Sequence, residues 1–215
     1  MPFTRKSQLT LEKSPYYFAA KLAPSRIFKV NPKMKFIIMI RNPVDRCVSH
    51  FTHDLMKIIL RNFKNKKFSN AEKYFTELVL HPNGTIKNRP AHYIVTHGLY
   101  VLHYKNWLQY FPRAQFLFIN GENFIKNPYE EIKKAEIFLD LKPFIQKKHF
   151  IFDAKKGFFC KNKNLRSGKI ECMGKDKGRK HPNISENILR KLKEFYKPYN
   201  IQLFDMLKSD PFWEI

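Results

Sequence analysis

Two short apolar runs and a series of amphipathic stretches divide the chain. Phe36–Ile40 (FIIMI) is unbroken and of strand length, as expected of a strand buried on both faces of a parallel sheet. Residues 115–120 (QFLFIN) repeat that signal after Pro112. Apolar positions spaced by three and four predict helices over 16–22, 71–79, 100–110, 128–139 and 188–196, the last with Ser185 as its cap. Between them, residues 57–73 are basic and loop-like. Residues 155–180 read as a long loop whose only acids are Glu171 and Asp176. Strand, helix, helix, strand, helix is the rhythm of an α/β domain with a parallel sheet. No repeat or linker divides residues 1–215, so they read as a single domain.

The junction after the first strand carries chemistry. Arg41 ends the apolar run, Asn42 is suited to cap a helix, and Pro43 sits where a missing N–H costs nothing. That helix continues through Val44, Arg46, Val48 and Ser49. Open α/β sheets bind ligands at the carboxyl ends of their strands, where a helix N-terminus offers bare N–H groups and positive partial charge. An Arg there, with a Ser hydroxyl on the following helix, reads as a phosphate grip. The alternative is that Arg41 only pairs with Asp45 on a solvated helix face.

Charge sharpens the picture. Across 215 residues, 41 Lys and Arg against 18 Asp and Glu give a net charge of +23, which draws a polyanionic partner: nucleic acid, anionic membrane or acidic polysaccharide. With 21 Phe, 10 Tyr and only 7 Gly, the composition is that of a globular chain and not of a basic tail. No run approaches the roughly 20 apolar residues of a membrane-spanning helix, and the first ten residues lack a signal peptide's apolar stretch. Cys160 and Cys172 bracket a Lys-rich segment and suit a loop-closing disulfide, which implies an oxidising compartment; two free thiols are the alternative. Cys47 lies on the apolar face of its helix and reads as an inert buried thiol. Asn83-Gly84-Thr85 and Asn183-Ile184-Ser185 are glycosylation sequons. No nucleic-acid-binding motif appears.

Four ordered segments stand out: EKSPYYF from Glu12, RNPVDRCVS from Arg41, KKGFFC from Lys155 and CMGKDKGRKHP from Cys172. Together with HGLYVLHYKNWLQYFP from His97, NGENFIKNP from Asn120 and KHFIFDAKKGF from Lys148, they resemble the heparan sulfate sulfotransferases, most closely the glucosaminyl 3-O-sulfotransferases. The resemblance runs over residues 9–213. It implies an α/β, P-loop-NTPase-like domain with a central parallel sheet, which moves a sulfuryl group from 3′-phosphoadenosine-5′-phosphosulfate (PAPS) to a sugar hydroxyl of heparan sulfate. It also implies a Golgi location and no metal.

The resemblance assigns residues as well. Arg41 and Ser49 match the ligands of the donor's 3′-phosphate. Lys177, Gly178, Arg179, Lys180 and His181 match the loop that closes over the nucleotide, with a solvated basic loop as the alternative. Phe159 matches an aromatic position beside adenine, with a plain core role for Phe158 or Phe159 as its rival. Lys13 matches a lysine in the substrate cleft, where an ammonium offsets charge building on sulfuryl oxygens; Ser14, Pro15 and Tyr16 follow it. His53 stands where the family has a sugar-contacting Gln, and His92 and Tyr93 lie at further acceptor positions. A Gly-rich phosphosulfate loop and a glutamate base are expected before Lys13 and are not found, so the strand–loop–helix that opens the family's domain reads as missing, and residues 1–215 alone are expected to be inactive or very weak while the whole protein is an enzyme. His50 or His53 can accept a proton in principle. A heparan-sulfate-binding pseudoenzyme and an N-sulfotransferase-like activity are the competing readings.

Overall fold

The computed structural model describes every residue except 1–4, 6, 7, 63–70, 90, 91, 165–167 and 173–180, and gives only the backbone of 55–62, 163 and 164. Strand β1 (Phe36–Ile40) pairs in parallel with β2 (Phe116–Asn120), in register from Phe36 opposite Phe116 to Ile40 opposite Asn120. Between them lie helices α2 (Pro43–Asn62), α3 (Ala71–Val79), α4 (Tyr93–Thr96) and α5 (Tyr100–Leu108). Helix α1 (Ala23–Val30) precedes the sheet; α6 (Gly121–Lys126) and α7 (Pro128–Phe138) follow it. An antiparallel sheet of β3 (Phe150–Asp153), β4 (Phe158–Asn164) and β5 (Lys169–Glu171) comes next, and α8 (Glu186–Leu207) completes the order.

Two apolar clusters hold these elements. The first joins Cys47, Val48 and Phe51 of α2 to Phe75 and Val79 of α3, Val95 of α4, and Ile188, Leu192 and Tyr196 of α8. Phe51 and Phe75 meet edge to face at 5.2 Å. The second packs Tyr104 and Trp107 of α5 onto one face of the parallel sheet, with Phe36 against Trp107 and Phe111, both at 4.7 Å. Leu203, Phe204 and Leu207 carry α8 into this cluster as well.

Several expectations need correction. β1 is covered on one face only: Phe36, Ile38 and Ile40 pack into the cluster with α5, while Ile37 and Met39 alternate to the other face, belong to neither cluster of described residues and stay 40% and 55% exposed. The helix expected over 16–22 begins instead at Ala23, after a series of turns. Pro24 explains this, since Pro is tolerated only in a helix's first turn. α2 runs on to Asn62, into the stretch read as a basic loop. Residues 155–180 are not all loop, for 158–164 and 169–171 are strands. α8 extends through Pro198, a residue that costs a helix interior about 3 kcal/mol; burying Leu203, Phe204 and Leu207 beyond it offsets that. Ser185 precedes α8 but its side chain makes no capping hydrogen bond.

Candidate functional site

The residues read as a phosphate grip lie at the end of β1 and the start of α2. Asn42 Oδ1 accepts from the N–H of Val44 at 2.9 Å, so the cap forms as its residue type predicts. Pro43 is buried against the site of Gly98, where an added Cβ would lie 3.0 Å from Pro43 Cβ and from the ring of Tyr196. Tyr196 in turn donates to the carbonyl of Val95 at 2.7 Å. Gly121 has the same role on the other side: a Cβ there would meet the Ile40 carbonyl oxygen at 2.9 Å and Arg41 Cβ at 3.2 Å. Only a glycine lets the end of β2 sit this close to Arg41.

Arg41 itself is not paired with Asp45. Its Nε lies 3.6 Å from Glu122 Oε1 on α6, an ion-pair distance too long for a hydrogen bond. Glu122 spends that oxygen on the N–H of Asn42 at 2.8 Å. The Arg41 carbonyl accepts from Tyr100 Oη at 3.0 Å, which anchors its backbone. Arg41 Nε is buried with no hydrogen-bond partner among the described residues. A guanidinium is all donor, so this fork, beside the N-terminus of a 20-residue helix, fits a phosphate group. Ser49 is half-buried two turns along α2. Burial lifts the nearby Tyr100 phenol to about 12, which keeps it a neutral donor.

Of the residues expected to close over a nucleotide, Lys177–Lys180 lie outside the described residues, and His181 lies within them. His181 Nδ1 is 3.1 Å from Thr52 Oγ1, whose own proton goes to the Val48 carbonyl at 2.8 Å. The imidazole therefore donates to Thr52, and the end of that segment is tied to α2 three residues past Ser49. Cys160 and Cys172 form a disulfide that joins β4 to the residue after β5. Asp153 lies close enough to both sulfurs to suggest a metal-binding trio, but sulfurs joined to each other are not thiolate ligands. β4 packs against α6, and Phe159 meets Phe152 edge to face at 5.3 Å while remaining half-buried. Cys47, by contrast, is fully buried, and desolvation pushes its thiol to about 12. It is inert, as read from the sequence.

The acceptor candidates gather around a carboxylate the sequence reading passed over. Asp54 on α2 accepts from Tyr93 Oη at 2.9 Å. It also faces His53 Nδ1 at 3.2 Å and His50 Nε2 at 3.5 Å. Arg46 holds His50 from the other side, with Nη1 3.2 Å from Nδ1, and donates through Nη2 to the Ile94 carbonyl. His97 fills the middle, its ring 5.8 Å from Tyr93, 6.3 Å from His50 and 6.2 Å from Tyr16. The Tyr16 contact brings the Lys13–Tyr16 segment to this cluster; Lys13 and Pro15 are exposed and Ser14 is half-buried. His92 stands apart, its ring 6.3 Å from His81. The signal for Asp54 was available, since it follows His53 directly on a helix.

His97 makes this cluster acid-sensitive. Burial first, then Arg46, His103 and His50, push it from 6.5 down to about 4. The unfolded chain thus binds a proton below pH 6.5 that the folded chain takes only near pH 4, so stability is full above 6.5 and declines as pH falls through that window. At 1.36 kcal/mol per unit, discounted for partial exposure, the loss is about 2 kcal/mol. Thermal melts at pH 7.5 and pH 5 are expected to show about 1 kcal/mol of this loss in the wild type, since pH 5 lies only part of the way through the window, and most of it abolished in His97→Gln. Equal losses in both would acquit His97.

Comparison with known proteins adds the following. Residues 4–207 match the sulfotransferase domain family. The chain is 39% identical over 215 residues to heparan sulfate glucosamine 3-O-sulfotransferase 6 of Mus musculus, covering 100% of this chain and 59% of the relative. It is 36% identical over 220 residues to heparan sulfate glucosamine 3-O-sulfotransferase 3B1 of Homo sapiens, covering 100% of this chain and 52% of the relative. The chain thus spans between half and three fifths of the length of these relatives. Among solved structures, a sulfotransferase from Alicyclobacillus acidocaldarius superposes with a TM-score of 0.56 at 19% identity, over 92% of this chain and 64% of that one, which shows a shared fold.

Proposed function

The chain belongs to the sulfotransferase family, and we propose that it moves a sulfuryl group from PAPS to the 3-hydroxyl of a glucosamine in heparan sulfate. The observation that carries this reading is Arg41: its Nε is buried without a hydrogen-bond partner among the described residues, and Tyr100 and the close approach of Gly121 hold its backbone where a long helix begins. PAPS supplies an activated sulfuryl group whose leaving group is a phosphate. Arg41 grips its 3′-phosphate, and Ser49 adds a neutral donor. Phe159 packs on adenine, from a hairpin that the disulfide makes rigid. Lys177, Gly178, Arg179, Lys180 and His181 close over the nucleotide, and the His181–Thr52 hydrogen bond fixes where that closure ends.

On the acceptor side, Lys13 supplies positive charge where negative charge builds on the sulfuryl oxygens. Ser14, Pro15, Tyr16, His53 and Tyr93 bound the sugar chain, while His92, whose ring meets His81, stands outside that cluster. The net charge of +23 concentrates an acidic polysaccharide at this surface, and a disulfide suits the lumen of the Golgi.

The test is transfer of radiolabelled sulfate from PAPS to heparan sulfate, followed by disaccharide analysis. Label on the glucosamine 3-oxygen is the expected result. Label on nitrogen would reassign the chain to N-sulfation. Tight heparin binding with no transfer would leave a non-catalytic binder.

A further inference from the structure

We propose that Lys133 and Lys147, brought together on the ring of Tyr129, form a second contact for the sulfated polysaccharide, apart from the cluster around Asp54, an inference that rests on reading heparan sulfate as the acceptor. The pair concerns how a long chain is held and takes no part in the transfer step.

Two distant stretches of sequence assemble this pair. Tyr129 and Lys133 lie four residues apart on α7, one turn along the same face. Lys133 Nζ sits 5.9 Å from the centre of the Tyr129 ring. Lys147 comes from the single 3-10 turn Lys147–His149 that leads into β3, and its Nζ lies 5.8 Å from the same ring. Glu136 brings that turn here. Its buried carboxylate accepts from the N–H of Phe144 at 3.0 Å and of Ile145 at 2.9 Å, which folds the chain after α7 back onto the helix. Gln146 then opens the turn, its N–H donating to His149 Nδ1 at 2.8 Å.

The charge gathered there is unbalanced. Lys134, next in sequence, pairs with Glu131 at 2.7 Å, and Glu131 also accepts from Asn123 at 2.6 Å. Glu136 is spent on backbone N–H groups. Lys133 and Lys147 are both exposed, and neither has an ion-pair partner among the described residues. An aromatic face steadies an ammonium group without neutralising it. Exposed Lys126 and Lys148, close by in sequence, add charge of the same sign. Point charges held in this way suit a chain that carries an anion on successive sugars. α7 packs on α6 and β2, and the Lys147 turn packs on β4, whereas the Asp54 cluster is built from α2, α4 and residues 13–16. A polysaccharide touching both surfaces makes its second contact within one complex, where effective concentration is high. A lipid surface is the competing partner, because Ile137 and Phe144 are 67% and 73% exposed. Phe144, however, is stacked on His149 at 5.6 Å, held against its own chain and not free to insert.

Heparin binding, titrated calorimetrically across a salt series, tests this. Each anionic group neutralised by a lysine releases a counterion, so the slope of log affinity against log salt counts the contacts. Lys133→Ala/Lys147→Ala is expected to lower that slope by about two, roughly one per lysine. Lys105→Ala/Lys197→Ala removes the same charge from exposed positions on α5 and α8 and should change it much less. Lys133→Arg/Lys147→Arg keeps the charge and should keep the wild-type slope. Affinity for adenosine 3′,5′-bisphosphate should be unaltered in all three, since none touches the donor grip. Equal loss of slope in the two alanine pairs overturns this proposal and leaves the acceptor reading intact. A wild-type chain that does not bind heparin overturns both. If Lys133→Ala/Lys147→Ala instead loses binding to phosphatidylserine vesicles with its heparin slope unaltered, the face belongs to a lipid surface and the proposal fails.

Discussion

Arg41→Ala is expected to weaken binding of adenosine 3′,5′-bisphosphate, the product of transfer, by two to three orders of magnitude. A hydrogen bond between charged partners contributes about 1.5–3 kcal/mol, and a planar fork places two of them on one phosphate. Losing both is worth about 3–4 kcal/mol, hence the several-hundredfold range. The fold should not suffer in proportion. The Arg41 carbonyl still accepts from Tyr100, and the side chain's one ion pair among the described residues, with Glu122, is partly exposed and of small value. Arg41→Lys restores charge without the fork and should recover only part of the affinity. Calorimetric titration with a parallel melt separates the effects. Unchanged affinity in a folded Arg41→Ala protein would remove Arg41 from the grip.

Breaking the Cys160–Cys172 disulfide is expected to open the β3–β4–β5 sheet locally and leave the two main clusters folded. The sheet has little core of its own. Cys160 is its one fully buried residue among those described, all of β5 is exposed, and Ile151 and Phe152 are largely uncovered. A loop of this length gains roughly 3 kcal/mol from a cross-link. That corresponds to an increase of about a hundredfold in amide exchange over β3–β5 in Cys160→Ser/Cys172→Ser. Nucleotide binding should weaken with it if Phe159 packs on adenine, since the hairpin is what positions that ring. Unchanged exchange would mean that strand pairing alone holds the sheet.

The residues differ in how plainly the sequence announced them. The β1–α2 junction was legible because its signals are local: an apolar run, then Arg, a capping Asn and a Pro at the first helical position. β2, α3 and α7 were legible for the same reason. What was not legible depended on partners distant in sequence. Whether β1 is covered on both faces depends on neighbours, and Ile37 and Met39 turned out exposed. Pro198 reads locally as a helix breaker, and α8 continues only because its far end has a second cluster to bury. Glu122 was visible inside a motif, yet its place beside Arg41 comes from the parallel register of β1 and β2 and from Gly121. His50 and His53 were indistinguishable in sequence; Arg46 and Asp54 distinguish them through which nitrogen each one occupies.

The most direct measurement of the central claim compares two nucleotides on the wild-type chain. If Arg41, Ser49 and the start of α2 form a 3′-phosphate grip, adenosine 3′,5′-bisphosphate should bind at least about a hundredfold more tightly than adenosine 5′-monophosphate, and Arg41→Ala should erase most of that difference. Equal affinities for the two nucleotides in the wild type would contradict the account.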